Sequence, residues 1–372
     1  MAHVDRRTLG ITLVWFVIIN LFALVSLNRV AVKDDSAYAW IDPATVEQVQ
    51  SWNPIPLHAK WDSFWLLSVA NEGYQYAPNV LSNVVFFPLY PLLVKIVSFV
   101  TTGNVILAGW IVSTLALFGA AWLLAKLVRE FHPDVSPSET VMLLLLFPAA
   151  FFLNAVYTES LFLFLSLGTF LFARRGKFWV AGIFGFFAAL TRITGILLVI
   201  PLLVEFIRQR HQQTIPPLSK GRLGGVVLVL LGPITFFSYH LKTFGDFFLF
   251  FRVQETWGRA FALNTDHFLL FNAASTANFV IDLCYVLFAL VGGILAIRRL
   301  GASYGFYTLA VAGSALASGT TMSIGRYVLM AFPLFMLGAS IRNETGRFAW
   351  RILSTLLLAI TTLLFVSNGW AG

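Results

Sequence analysis

The chain contains few charged residues. Asp, Glu, Lys and Arg together make up 11% of its 372 residues. Soluble globular domains carry roughly 25% charged residues, so this composition excludes an ordinary soluble protein. Hydrophobic residues make up 58% of the chain, and there are 37 Phe and 11 Trp. Such a balance is typical of membrane proteins, whose aromatic side chains gather at the two interfaces. The sequence therefore predicts an all-α polytopic membrane protein, with residues 1–372 forming a single domain.

Cysteine is nearly absent, since Cys284 is the only one in the chain. A single cysteine excludes a disulfide framework and a cysteine-rich metal site. The chain also has no P-loop, no G-x-G-x-x-G after a strand and no H-E-x-x-H motif. An enzyme of this kind would have to take its activated donor from the membrane. The net charge of +8 is divided among short clusters between apolar segments, which argues against a nucleic-acid partner.

Apolar segments predict about eleven membrane-spanning helices. The first is expected to remain as a span, because its apolar run is too long for a signal peptide and no A-x-A-like site follows. Several of the others are shorter than the ~20 residues that a perpendicular helix needs, so broken or re-entrant helices are expected. The predicted spans are 9–28, 104–128, 139–153, 157–173, 178–190, 194–207, 222–241, 277–297, 302–320, 327–341 and 348–367.

The basic clusters predict the orientation of these spans. Residues 84–101 either cross the membrane or lie along its surface after a proline-broken start. If they do not cross, the basic clusters share the cytoplasmic side, as the positive-inside rule requires. The N-terminus is then cytoplasmic and the C-terminus external, and 29–103 and 244–276 are large external loops. The clusters are Arg6/Arg7, Lys126/Arg129, Arg174/Arg175/Lys177, Arg208/Arg210/Lys220/Arg222, Arg298/Arg299 and Arg342/Arg347/Arg351.

Charged residues outside these clusters share the external face in this topology. Charges at the ends of apolar helices are costly unless they line a cavity or find partners. Several of them from different segments on one side therefore predict a shared hydrated pocket. They are Asp62, Glu72, Glu159, Arg192, Arg252, Glu255 and Arg326.

Asp62 lies in the first external loop, in the stretch "WDSFWLLSVANEGY". One interpretation is that Asp62 and Ser63 cap a short helix that runs to about Asn71. No Glu or Gln stands at the third helical position, however, so the capping box is incomplete. Alternatively, a carboxylate among aromatic residues is suited to general-base chemistry. The residues alone leave both interpretations open.

Three further motifs also have both an ordinary and a functional explanation. "AVYTESLF" places Tyr157 and Glu159 at a helix start, where Glu159 either complements the helix dipole or contacts a substrate. Arg192 in "TRITG" and Arg326 in "GRY" either extend to the lipid headgroups or bind a phosphate, with Gly195 and Gly325 allowing close approach.

Two apolar stretches of the external loops are open to the same pair of explanations. "FFPLYP" (residues 86–91) is either a turn into an interfacial helix or part of a groove for a lipid chain. "GDFFLFFRVQETWGR" (245–259) is typical of an interfacial amphipathic helix. Its Gln254, Glu255 and Trp257 are also candidates for contacts with a sugar or headgroup.

Six motifs together resemble the PIG-V family, whose eukaryotic member is the second mannosyltransferase of glycosylphosphatidylinositol synthesis. They occur in the family's order and roughly its spacing, from about residue 58 to 340. They are "WDSFWLLSVANEGY", "FFPLYP", "FPAAFFLNAVYTESLF", "LTRITG", "GDFFLFFRVQETW" and "GRYVLMAFPLF".

The resemblance implies a GT-C fold, with surface-lying helices in the first external loop. It also implies transfer of a hexose, typically mannose, from a polyprenyl phosphate with inversion. Asp62 becomes the expected general base on the acceptor hydroxyl. Arg192 and Arg326 become candidates for the donor phosphate, and the other expected substrate contacts are Trp61, Ser63, Tyr157, Glu159 and Gln254.

The expected partners are a lipid-linked sugar donor, a lipid or glycan acceptor, and membrane lipids. No cofactor is expected, and the scheme does not require a metal. Because the chain is compact and lacks long inserts, it is similar to a bacterial relative, which would place it in the plasma membrane; a eukaryotic one would lie in the endoplasmic reticulum. The alternative is a transporter or lipid flippase that uses the same external cavity. No internal repeat favours it, and the charges cluster at one face instead of mid-span.

Overall fold

The computed structural model describes residues 6–27, 29, 55–211, 221–259, 276–318 and 323–369. The described residues form α-helices and short 3₁₀ helices and contain no strand. Parts of both predicted external loops, 31–54 and 260–275, lie outside the described residues. The α-helices are α1 Arg6–Leu27, α2 Asp62–Glu72, α3 Leu89–Ser98, α4 Val105–Phe131, α5 Pro137–Leu145, α6 Glu159–Arg174, α7 Phe178–Ala189, α8 Val199–His211, α9 Gly221–Phe244, α10 Leu249–Thr256, α11 Thr276–Arg299, α12 Ala302–Leu316, α13 Ile324–Met330, α14 Pro333–Ala339 and α15 Glu344–Val366.

Five helices are long and apolar enough to cross a membrane. Their mean hydropathy lies between 1.6 and 2.5, and much of their surface is not covered by protein. The protein is therefore an integral membrane protein, while the predicted total of eleven spans stays a prediction. The five are Arg6–Leu27, Val105–Phe131, Leu223–Phe244, Val280–Arg299 and Glu344–Val366.

Two of the predicted spans are broken helices. The segment predicted as 139–153 consists of α5 and a 3₁₀ helix, Ala150–Asn154, with Pro148 between them. The segment predicted as 327–341 divides into α13 and α14, and the second begins at Pro333. Proline lacks an N–H and clashes with the preceding turn, so it interrupts the helix at these points.

The segment 84–101 contains a helix of only ten residues, α3, which follows Pro88. At 1.5 Å per residue this helix is about 15 Å long, roughly half the thickness of a bilayer's hydrocarbon core. Its Tyr90 is fully buried and donates a hydrogen bond to the Gly109 carbonyl of α4 at 2.9 Å. Its short length fits the prediction that 84–101 lies along the membrane surface, which stays a prediction, and the helix is anchored to one long enough to cross.

Close packing of helices fixes the ends that carry functional side chains. Helix α7 packs on α9, where a Cβ added to Gly182 would lie 2.3 Å from the Gly225 carbonyl oxygen. Small residues allow this kind of backbone contact between membrane helices. The indole Nε1 of Trp61 donates to the carbonyl of Gly369, just beyond α15, at 3.3 Å. The start of α2 and the end of α15 therefore lie at the same end of the molecule.

Candidate active site

One cavity of about 130 Å³ lies where the predicted external segments converge. It is bounded by the start of α2, the loop before α3, the start of α6, the turn after α7, helix α10 and the start of α13. The lining residues form an apolar and a polar set. The apolar residues are Leu66, Val85, Phe86, Phe87, Ile193, Phe250 and Trp257. The polar residues are Asp62, Thr158, Thr191, Arg192, Thr194, Gln254, Arg259, Ser323, Arg326 and Tyr327.

Asp62 reaches an arginine instead of capping its own helix. It is the first residue of α2, and the residue in the cap position, Trp61, makes no side-chain cap hydrogen bond. Oδ2 of Asp62 accepts a hydrogen bond from Nη1 of Arg326 at 2.7 Å. The other oxygen, Oδ1, has no donor among the described residues. The capping interpretation is therefore wrong for Asp62, and one carboxylate oxygen remains available to a substrate.

Glu159 links the two arginines of the cavity. Its side chain is fully buried, and Oε1 accepts from Nη1 of Arg192 at 2.5 Å and from Nε of Arg326 at 2.7 Å. Thr158, in the cap position of α6, makes no cap hydrogen bond and instead accepts from Arg192 at 3.2 Å. Buried ions need such partners, because each loses its hydration on burial. Asp62, Arg326, Glu159 and Arg192 thus form one continuous charged chain, called the carboxylate–arginine chain below.

Aromatic rings hold the two guanidinium groups in place. The Arg326 guanidinium lies over the rings of Tyr157 and Phe152, 4.7 and 5.0 Å from their centroids. The Arg192 guanidinium lies 5.4 Å from the Tyr327 centroid. An aromatic face attracts a cation and restricts its orientation. The arginines are therefore fixed before any ligand binds.

Strained backbone flanks the contact between Asp62 and Arg326. Trp61, which precedes Asp62, has φ 53°, and Ser323, three residues before Arg326, has φ 67°. Non-glycine residues in this region cost of order 1–3 kcal/mol each, and such residues concentrate at functional sites. The Ser323 hydroxyl lines the cavity and is buried without a hydrogen-bond partner among the described residues. These features are typical of a site that is organised for a ligand.

The sequence-predicted residues divide into three groups. Asp62, Glu159, Arg192, Gln254 and Arg326 meet in the cavity or in the chain beside it.

Trp61, Ser63 and Tyr157 lie behind the cavity and do not line it. Ser63 is fully buried and accepts from the Lys60 amide at 3.2 Å, and Tyr157 donates to the Lys60 carbonyl at 2.9 Å. These contacts stabilise the turn that presents Asp62.

Three of the charges predicted to be external lie away from the cavity. Glu72 is exposed and accepts from Gln75 at 2.8 Å, while Arg252 pairs with Asp246 at 2.8 Å. Glu255 is exposed on α10 and does not line the cavity. The structure thus separates these three from the charges that share the pocket.

Arg259 is a lining residue that the sequence reasoning missed. It follows Gly258, which has φ 67°, and its amide donates to the Gln254 carbonyl at 3.0 Å. It stands at the end of an apolar loop, where a basic residue also fits headgroup contact. Only the turn after α10 brings it to the cavity.

Gly195 has a packing role. A Cβ at this position would lie 2.4 Å from the Ala189 Cα, so only glycine lets the backbone pass so close. Its amide donates to the Arg192 carbonyl at 2.9 Å. Gly195 therefore fixes the turn that carries Arg192, and the predicted approach to a phosphate is not needed to explain it.

Burial perturbs two groups in the loop before Asp62. It lowers the pKa of the Lys60 ammonium to about 8 and that of the His58 imidazole to about 3. The loss of hydration is the main cause in both. His58 stacks on Trp110 with 4.5 Å between ring centroids, so it is part of the packing under the loop.

Within the described ranges, no group of three His, Cys, Asp or Glu residues is arranged to hold a metal ion. The expectation that the reaction needs no metal stays a prediction.

Comparison with known proteins identifies the family. The family model of the mannosyltransferase (PIG-V) family matches residues 9–223, which is more than half of the chain. The chain belongs to the mannosyltransferase (PIG-V) family. A comparison with curated protein sequences found no match.

Solved structures show the fold of this family member. The crystal structure of ArnT from Cupriavidus metallidurans bound to undecaprenyl phosphate is similar, with a TM-score of 0.58 and 15% identity. The similarity covers 94% of this chain and 64% of ArnT. The oligosaccharyltransferase AglB from Archaeoglobus fulgidus is a more distant match, with a TM-score of 0.44, 14% identity and coverage of 97% and 56%. The family member thus has the predicted GT-C fold and spans about two thirds of ArnT's length.

Proposed function

We propose that this PIG-V family member transfers a hexose, mannose, from a polyprenyl-phosphate sugar to a lipid- or glycan-linked acceptor. The transfer takes place in the Asp62 cavity on the external face of the membrane. Family membership and the likeness to ArnT, which was crystallised with undecaprenyl phosphate, support this proposal. The observation that carries it is the carboxylate–arginine chain at the wall of the cavity.

The composition of the cavity suits a substrate with a charged head and an apolar tail. Phe86, Trp257 and Trp65 form one aromatic cluster, with centroid distances of 5.2 to 6.3 Å. Phe86 and Trp257 of this cluster line the cavity, as its arginines do. Ligand sites typically combine such apolar walls with a few fixed polar groups. The aromatic side would hold the isoprenoid units next to the phosphate, while the polar side would hold the sugar and the phosphate.

Asp62 performs the proton transfer in this proposal. Its Oδ1 removes the proton from the acceptor hydroxyl as that oxygen attacks the anomeric carbon. A new C–O bond forms there, and the bond from the anomeric carbon to the phosphate oxygen breaks on the opposite side. The polyprenyl phosphate leaves with the electron pair, so the configuration at the anomeric carbon inverts. Arg326 positions Asp62 through the hydrogen bond to Oδ2.

The phosphate contacts are assigned by the donors that remain available. Arg326 donates to Glu159 through Nε and to Asp62 through Nη1, and its side chain is only 7% exposed. Arg192 donates to Thr158 and Glu159 through Nη1, and Arg259 contributes a further cation at the cavity wall. Guanidinium groups match the geometry of a phosphate and retain their charge. We therefore assign the donor phosphate to Arg192 and Arg259, and the support of Asp62 to Arg326.

Arg259→Gln is expected to raise the KM for the donor about 10- to 150-fold, with a smaller change in kcat. It removes one charge-assisted contact to the phosphate, worth roughly 1.5–3 kcal/mol. Initial rates at varied donor concentration measure the effect. Arg252→Gln is the matched control, because Arg252 is exposed on α10 and pairs with Asp246 outside the cavity. Equal KM values for the two variants would contradict the assignment.

A transfer assay tests the proposed activity. Purified protein is incubated with radiolabelled polyprenyl-phosphate mannose and a lipid extract of the host, and the label is followed by chromatography. Movement of the label from the donor to a new lipid or glycan is expected, and it also identifies the acceptor. Label that stays on the donor, while the folded protein binds that donor, would contradict a transferase and favour transport.

A further inference from the structure

A second cavity lies at the opposite end of the molecule from Asp62. Helix α15 ends beside the Asp62 turn, as the bond from Trp61 to Gly369 shows, and its 23 residues extend for roughly 35 Å. The second cavity is built around the start of this helix and has a volume of about 1140 Å³. Its polar lining includes His132, Asp134, Arg299, Arg342 and Arg347.

Three arginines of this cavity lack close carboxylate partners. No ion pair joins Arg299 or Arg342 to an acidic side chain of the described residues, although Asp134 lines the same cavity. The nearest carboxylate to Arg347 is the exposed Glu344, at 3.9 Å, and Arg347 Nε is buried without an acceptor among those residues. A buried donor without an acceptor costs free energy unless a ligand accepts from it.

Other arginines at this end are neutralised within the protein. Arg351 donates to Glu139 at 2.5 and 3.0 Å, and Arg208 donates to Glu205 at 2.8 and 2.9 Å. Arg174 also pairs with Glu205, at 3.3 Å. Membrane orientation requires basic residues at one end but does not require them to share a cavity without carboxylate partners. The second cavity therefore has the charge of an anion site.

Helix ends place this cavity at a membrane boundary. Three of the five candidate spans end at its lining residues or directly beside them: α4 ends at Phe131, α11 ends at Arg299, and α15 begins at Glu344. Beside the arginines, Ile341 is 39% exposed and Phe348 is 61% exposed. Basic pockets between membrane helices at this depth recognise lipid headgroups, and exposed apolar side chains beside them contact acyl chains. The combination fits an anionic lipid better than a free anion.

We propose that this cavity binds the phosphate of an anionic membrane lipid. Arg299 and Arg342 attract the headgroup, and Arg347 Nε donates to a phosphate oxygen. Phe348 and Ile341 contact the acyl chains. This site goes beyond the proposed transferase activity and does not depend on it, since it lies a helix length from Asp62 and shares no residue with its cavity.

Native mass spectrometry of the purified full chain tests the site with two lipids of the same acyl chains, phosphatidylglycerol and phosphatidylcholine. The double variant Arg299→Gln/Arg342→Gln is compared with Arg298→Gln/Arg210→Gln, which removes the same charge from exposed positions outside the cavity. The wild-type protein and the control are expected to retain phosphatidylglycerol preferentially. In Arg299→Gln/Arg342→Gln, the preference for phosphatidylglycerol should fall about fivefold for each arginine removed, which is the effect of one basic residue near an anionic surface.

Two outcomes would overturn the proposal. An equal loss of phosphatidylglycerol retention in both double variants would show that this retention reflects the total charge at this end of the molecule and not the cavity. The cavity would instead take a free anion if inorganic phosphate displaced the lipid. The same would follow if the protein bound phosphate equally well in detergent without lipid. Circular dichroism of each variant confirms that the helices remain folded, and substitution of exposed arginines is expected to preserve them.

Discussion

Asp62→Asn is expected to lower kcat by about 10²–10⁴-fold and to leave the KM for the donor nearly unchanged. The range is the usual contribution of a general base to a proton transfer. Asparagine still offers Arg326 a carbonyl acceptor in place of Oδ2, so the contact that holds the turn is retained. It cannot accept the proton of the acceptor hydroxyl, however. Initial rates at varied donor concentration separate the two parameters.

The control for this variant is Glu72→Gln, at the other end of the same helix. Glu72 is exposed and bonds Gln75, and it does not line the cavity. Its substitution is expected to change the rate by less than about twofold, as for a surface group. A comparable loss of kcat in both variants would mean that the charge of α2, and not a base at Asp62, supports turnover.

Glu159→Leu is expected to lower the free energy of unfolding by about 3–5 kcal/mol and to abolish activity. The carboxylate is fully buried and partners both Arg192 and Arg326, so its removal leaves two guanidinium groups without their shared anion. Breaking a buried ion pair by removing one partner costs of this order. Thermal unfolding in detergent measures the stability, and the transfer assay measures the activity.

Glu130→Gln is the matched control for Glu159→Leu. Glu130 also pairs with an arginine, Arg175, but both side chains are partly exposed, at 35% and 24%. Exposed pairs contribute only about 0–1 kcal/mol, so a small effect on stability and none on activity is expected. Similar destabilisation by both substitutions would contradict the central position of Glu159.

Glu159→Gln tests how the carboxylate–arginine chain acts on catalysis. The amide oxygen can still accept from both arginines, but the positive charge is no longer balanced. In the proposed mechanism Glu159 acts through Arg326 on Asp62, so the main effect is expected on kcat and on its pH profile. A change confined to stability, with kcat and its pH profile intact, would show that Glu159 is only structural.

Much of the architecture could be predicted from local patterns. Apolar runs gave the long helices, and prolines marked where others break, as at Pro333 and before α3. Both signals act over a few residues, which is why one sequence is enough to detect them. The predicted spans and the observed helices begin and end at different residues, because helix ends depend on packing as well as on composition.

The pairing of the site residues could not be predicted in the same way. The sequence indicated that Asp62, Glu159, Arg192 and Arg326 share one face, but not which contacts which. Arg326 is separated in sequence from Asp62 by 264 residues and from Glu159 by 167. Only the packing of helices brings these residues into contact. Local sequence left the helix-start explanations of Asp62 and Glu159 open beside the functional ones, and only the long-range ion pairs show what the two carboxylates contact.

Arg259 shows the other limit of sequence reasoning. The motif "GDFFLFFRVQETW" ends two residues before Arg259, and the place of Arg259 at the cavity depends on the turn at Gly258. A third cation in the cavity changes the assignment of the phosphate, because Arg326 is occupied by two carboxylates. The number of available donors, and not the number of arginines, therefore determines the roles.

The most direct test of the account measures donor binding and sugar transfer together, in the wild-type protein and in Asp62→Asn. Both proteins are incubated with the same radiolabelled polyprenyl-phosphate mannose, and bound donor and labelled product are quantified from each sample. The account predicts equal binding in both and labelled product from the wild type alone. Near-normal transfer by Asp62→Asn would contradict the role of Asp62 as the base on which the proposed mechanism rests.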